Sequence, residues 1–239
     1  AELITIDNST SGGVNVVSTN NNATTVDIDA LLAGDLVLDH NGLGQLNVRN
    51  LRATGGSIRV TSDATIDVRS VAEDALATGV RASANIALSA TAQDSDIDLG
   101  HLVQSTSDAG TIEITANDDI MADSTIQTAN GLVILRANGS ITDATDANTR
   151  VIANVLTIYD AEQVGAQDVA DFDDIVNLAD WPQVADTNGW LDTQVAELNV
   201  LDVGRGDVSI NEVNDLYIRN VDLMSEIDSQ FTVLAGGTI

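Results

Sequence analysis

The 239-residue chain has no cysteine, no lysine, a single proline and only 3% aromatic residues. Without Cys there is no disulfide framework and no thiol chemistry, and the redox compartment stays open. Without Lys, the cationic inventory is nine Arg set against 37 acidic residues, a net charge of -28. Such a surface shares its sign with phosphate backbones and anionic lipids. It holds no basic patch from which counterions could be released, which excludes nucleic acid as a partner. Cations are its natural counterparts. No apolar run reaches the roughly 18 residues of a membrane-spanning helix and no basic stretch precedes an apolar one, so neither membrane insertion nor a signal peptide is expected. The chain opens on Ala, as a processed protein or a piece of a longer one would.

What is present is 44% hydrophobic, nearly all of it without rings. The core must therefore be built from Val, Ile, Leu and Ala in thin, regular layers. The 18 Gly suit many short strands joined by tight turns.

Residues 110 to 144 say nearly the same thing twice, as GTIEITANDDI from Gly110 and GLVILRANGSI from Gly131. Both place apolar residues two, four and ten positions after the glycine. The same template fits from Gly56 (Ile58, Val60, Ile66), Asn154 (Leu156, Ile158, Val164), Gly206 (Val208, Ile210, Leu216) and Ser229 (Phe231, Val233, Ile239). Weaker copies start at Gly34 and at Ala84, where the third apolar site is delayed to Ile97. The anchors recur every roughly 21 to 28 residues with one gap about twice as long, a solenoid period.

Within each copy apolar and polar residues alternate, as in VDID at 26–29, SIRV at 57–60 and TIDV at 65–68. Period two is the signature of a strand with one buried face. A unit of two or three strands cannot bury that face alone and must stack on its neighbours. The expected fold is all-β, a single parallel β-helix over 1–239, with residue 112 under 133 and 120 under 141. Asn41, Asp63, Asn117 and Asn138 stand in phase, seven places after their anchors. They tolerate left-handed turn backbone, and an aligned column of them can bond from coil to coil; the plainer reading is that they are turn residues.

Residues 155–165 and 190–223 resemble the degenerate coils of large repetitive bacterial surface proteins of the filamentous haemagglutinin type. Leu191, Thr193, Val195 and Leu198 match the Leu-x-Thr-x-Val-x-x-Leu segment of such coils. The resemblance implies a right-handed β-helix in a secreted or cell-surface protein, often an adhesin or matrix component. The interval from Gly165 to Trp190 is longer than such coils have, and nothing carries over to it.

That interval, with residues 166–190 as an inserted excursion, holds Trp181, Trp190, Phe172 and the sole Pro. Val169, Phe172, Val176 and Ala179 fall at helical spacing, with Asp168, Asp171, Asp173 and Asp174 largely opposite, which predicts a short amphipathic helix. Such a helix packs over the solenoid with the two indoles filling the junction. The functional alternative is a partner- or glycan-contacting platform of Trp181, Trp190 and Phe172, because exposed Trp is rigid and amphipathic.

Asp94, Asp96 and Asp98 would share one strand face roughly 7 Å apart. That spacing bridges hard cations loosely, and Asp171, Asp173 and Asp174, or the NDD at 117–119, have the same character. The calcium-loop pattern fails, with Leu99 and Ser105 where Gly and a bidentate acid are needed. Solvated acidic faces with weakly bound Ca2+ or other cations are expected, and no other cofactor. Asn8, Asn22 and Asn138 begin Asn-x-Ser/Thr sequons in predicted turns. His40 and His101 stand in no catalytic motif and are expected as turn or surface residues. No carboxylate pair can be singled out for glycosidic chemistry and nine scattered Arg serve a lyase poorly, so an enzyme is not expected.

Neither end shows the polar cap of an isolated solenoid. The expectation is a structural or adhesive β-solenoid module at the cell surface or outside the cell, self-associating through its ends into a filament or belonging to a longer fibre. A glycan or surface receptor is the further expected partner. The alternative is a carbohydrate-binding or carbohydrate-active β-helix that uses the Trp-bearing excursion.

Overall fold

The computed structural model describes residues 2–8, 12–19, 26–69, 77–143, 151–165, 190–204, 206–223 and 230–239. The described residues form strands, turns and bends, with no helix among them. Every strand pairing is parallel, and each strand bonds to one about a coil further along the chain. The protein is a parallel β-solenoid with three stacked faces.

The first face is traced by an inward row running Val14, Leu36, Ile58, Ile86, Ile112, Val133, Leu156, Leu198 and Ile218, each the register partner of the next. The second face runs Val26, Leu46, Ile66, Ile97, Ile120, Ile141, Val164, Val208 and Phe231. Residue 112 thus lies on 133 and 120 on 141, as the repeat requires. The one doubled interval, Leu156 to Leu198, contains residues 166–189, so the expected excursion helix falls outside the described residues, with Phe172, Trp181, Asp171, Asp173 and Asp174.

The third face starts as a continuation of the second. The strands Val26–Leu32 and Leu46–Ala53 cover both, with a register irregularity after Ile28 at the corner. One coil later the two faces are served by separate strands, Ile66–Val68 and Gly79–Ala82. Gly79 enters the second of these at φ +75°, and a Cβ there would strike the Leu102 carbonyl oxygen, so only Gly serves.

The core is the alternation folded up. In Ile86–Ala90 the pattern buried, half-buried, buried, half-buried, buried puts Ile86, Leu88 and Ala90 inward, and this recurs on coil after coil. Each Val, Ile or Leu removed from water contributes about 1.5–3 kcal/mol, and among the described residues the buried core cluster is aliphatic throughout, its rows stacking like on like.

Short polar side chains ahead of the strands fix the register. Asp35 Oδ1 accepts the Ser57 amide (2.7 Å), Ser57 Oγ accepts that of Asn85 (3.3 Å) and Asn85 Oδ1 that of Thr111 (2.9 Å). A second column runs from Thr65 Oγ1 to the Asp96 amide, Asp96 Oδ1 to the Asp119 amide and Asp119 Oδ1 to the Ser140 amide. Each link satisfies a turn N–H of the next coil, so Asp, Asn, Ser and Thr at these positions act as coil-to-coil staples.

Two expectations are corrected. The template copies at Gly206 and Ser229 are out of step: Val208 and Phe231 lie on the second face, whereas Ile112 and Val133 lie on the first. All faces share one alternation, so a local match cannot tell one from another. Asn8 ends the strand Glu2–Asn8 instead of lying in a turn.

Candidate functional site

The turn at 117–119 sits directly beyond Asp96 of the preceding coil, and carboxylate oxygens of Asp96, Asp118 and Asp119 lie within 4.8 Å of one another. Asp96 and Asp119 each spend one oxygen on the staple bonds to the Asp119 and Ser140 amides, at 3.2 and 2.6 Å. The Asp118 carboxyl titrates above its ordinary range, first through desolvation and then through the charges of Asp119, Asp96, Asp94 and Glu162. Three hard oxygen donors from two coils form a set of the kind a divalent cation takes. Where no cation is bound, the set is a point of self-repulsion.

This differs from the expected Asp94, Asp96 and Asp98 row. Asp94 lies in a turn with φ 56°, ahead of the strand Ile97–Leu99, and only Asp96 of the three joins the cluster. The staple geometry brings in Asp118 and Asp119 from the next coil instead, a proximity that a motif of consecutive residues does not encode.

Trp190 is buried, 8% exposed, at the start of the strand Leu191–Val203. It is thus largely covered, unlike the exposed indole expected of a partner or glycan contact; Trp181 and Phe172 lie outside the described residues. Leu191, Thr193, Val195 and Leu198 all face the interior.

Among the sequons, Asn22 is not described. Asn138 is exposed in its turn and its Nδ2 donates to Asn117 Oδ1 at 2.7 Å, so part of the expected Asn column is a real coil-to-coil bond. At the next position up, Thr91 Oγ1 donates to Asp63 Oδ1 at 3.0 Å. A glycan on Asn138 would engage the nitrogen that makes this bond.

His40 is not a surface residue. It is fully buried, stacked between Ser18 and Ser62, with Nε2 at 2.8 Å from the Gly44 carbonyl oxygen and Nδ1 at 3.3 Å from Ser18 Oγ. His101 is half-buried, and its Nδ1 accepts the Leu102 amide at 2.8 Å. Burial, and secondarily the Arg81 charge, hold its pKa below the ordinary value.

Glu212 gave no signal in the sequence. It is 1% exposed and occupies the third-face row after Leu51, Val80, Val103, Ile126, Val151 and Thr193. Its Oε2 accepts Thr193 Oγ1 (2.8 Å) and the Val195 amide (3.0 Å), and its Oε1 accepts the Asn214 amide (2.9 Å). Three donors converging on two oxygens describe a carboxylate that ties two coils and a turn together.

The end coils differ from the interior. Among the described residues, the strands Glu2–Asn8 and Val14–Ser18 pair on one side only, as do Tyr217–Leu223 and Phe231–Ala235. Their inward residues Ile4, Ile6, Val14, Val16, Ile218, Leu223, Phe231 and Val233 are only partly buried.

No helix of the described residues is long and apolar enough to cross a membrane. Comparison with protein families, curated proteins and solved structures found no match to the chain. Fold and local chemistry alone therefore define it as an acidic parallel β-solenoid.

Proposed function

We propose that the protein is a structural β-solenoid module of a secreted or cell-surface protein, and that its end coils accept further parallel coils of a second copy of the chain. The observation that supports this is the pair of end strands. The outermost strand at each end, Glu2–Asn8 and Phe231–Ala235, is of one kind, spanning the second and third faces, and among the described residues one side of each pairs with no strand, beside partly covered Ile, Val and Phe. Such an edge templates pairing. Joining one end to the other is a heterologous contact that does not close on itself, so the product is a fibre and not a ring. The resemblance of residues 190–223 to coils of filamentous-haemagglutinin-type surface proteins supports the extracellular setting and an adhesive or matrix role. The acidic lateral surface, at net charge -28, limits side-to-side clumping while leaving the ends to associate.

Sedimentation of the purified 239-residue chain over a hundredfold concentration range, with electron microscopy of the heaviest fraction, tests this reading. Linear particles that lengthen with concentration are expected, and Val233→Asp or Ile6→Asp shortens them. A single monomeric species throughout, with fully exchanging end-strand amides, overturns it.

A further inference from the structure

Arg52 and Arg81 are register partners on adjacent third-face strands, Leu46–Ala53 and Gly79–Ala82, and both are exposed. Neighbouring rungs are about 4.8 Å apart, so two cationic stems stand side by side, an arrangement that destabilises unless an opposite charge lies between them. Ion pairs among the described residues engage Arg69, Arg136 and Arg219, and none engages Arg52 or Arg81. The two Arg wall a groove of about 180 Å³ floored by Ala53 and Ala82, and no residue lining it is acidic although the chain holds 37 acids.

We propose that this groove binds a single tetrahedral oxyanion, a sulfate or phosphate group, clamped between the guanidinium groups of Arg52 and Arg81. Size and donor chemistry argue for it. A volume of 180 Å³ equals the share of about six water molecules and falls below the roughly 300 Å³ where ligand pockets begin, so it suits one small group. The hydroxyl hydrogens of Thr54 and Thr106 are already directed at the Leu32 and Ala82 carbonyl oxygens, at 3.2 and 3.3 Å. The Ser83 hydroxyl is directed at the Gly56 carbonyl oxygen at 3.4 Å, and one N–H of the Gln104 amide at Gln127 Oε1 at 3.5 Å. The charged donors left for a ligand are the guanidinium forks, whose planar N–H pairs match oxyanion geometry, with the second Gln104 N–H as a neutral donor beside them. The same local field reaches His101, whose pKa the Arg81 charge lowers after burial has done so. On a surface this acidic, an isolated positive pair is a selective trap for an anion. The proposal does not depend on coil stacking at the ends.

Sodium sulfate exchanged for sodium chloride at constant ionic strength, followed through the Arg Nε–H resonances, provides the test. A parallel arm uses methyl sulfate, to separate a free ion from an ester group on a larger ligand. Saturable shifts at Arg52 and Arg81, with Arg219 unmoved, are expected in at least one arm. Arg52→Gln and Arg81→Gln each weaken binding about tenfold or more. Sulfate or the ester raises the melting temperature of the parent and not of the variants. In chloride alone Arg81→Gln melts no lower than the parent, because it removes a like-charge contact. Shifts shared by all Arg without saturation in both arms, or affinities unchanged in both variants, overturn the proposal.

Discussion

Replacing Glu212 by Ala removes the acceptor of three donors at once: the buried Thr193 hydroxyl and Val195 amide, and the part-buried Asn214 amide. A buried donor left without a partner costs about 1–3 kcal/mol, and removing a carboxylate from its desolvated site offsets part of the sum. The expected net loss is about 3–5 kcal/mol, the range seen when a buried charge is separated from its partners. Against a typical stability of about 5–15 kcal/mol, that is a large fraction. Glu212→Gln is the sharper comparison. With its oxygen turned to Thr193 and Val195 its NH2 faces the Asn214 amide, so one bond is lost and about 1–2 kcal/mol with it. Urea unfolding followed by circular dichroism measures the totals. Stacked repeats can unfold in parts, so amide exchange at Val195 and Asn214 localises the effect. A Glu212→Ala protein within about 0.5 kcal/mol of the parent, with both amides still protected, would refute the role assigned to this carboxylate.

Gly131→Ala drives a methyl group into the Gly110 carbonyl of the preceding coil, where backbone must move to admit it. A loss of about 1–3 kcal/mol is expected by thermal melting, while Gly12→Ala meets no atom and loses only what its φ of +127° demands. The raised pKa of Asp118 means that the folded chain holds a proton that the unfolded chain releases at pH values just above the ordinary 3.8. Stability contributed by this group therefore rises as pH falls through that window and declines as pH rises through it. Asp118→Asn flattens the slope, and millimolar Ca2+ weakens it by neutralising the Asp96, Asp118 and Asp119 set; melting curves from pH 4 to 7 that are identical for parent and variant would contradict this.

Some of the architecture was legible one residue at a time. Gly110 and Gly131 announce the coil period, and Ile112 on Val133 and Ile120 on Ile141 follow directly. The Asn117 to Asn138 bond was equally readable, because a polar column needs only a constant offset from its anchor. The copies at Gly206 and Ser229 show the limit: they match the same template yet stack on another face, since alternation says which side chains turn inward without saying which face they line. His40 and Glu212 sit at inward positions of the alternation as polar residues, and their roles rest on partners, Gly44 and Ser18 for one and Thr193, Val195 and Asn214 for the other, that folding supplies.

Composition and period two by themselves determined that the chain is all-β, repetitive, acidic and built on aliphatic rows, because those properties follow from the order of residues along one strand. Tertiary structure alone decided that Asp96 meets Asp118 and Asp119, that Arg52 stands against Arg81, and that Glu212 lies in the third-face row between Thr193 and Ala235. Those neighbours are set by coil length, which varies from turn to turn. A change of a few residues in any turn re-registers each side chain against the next coil without altering the alternation within its own.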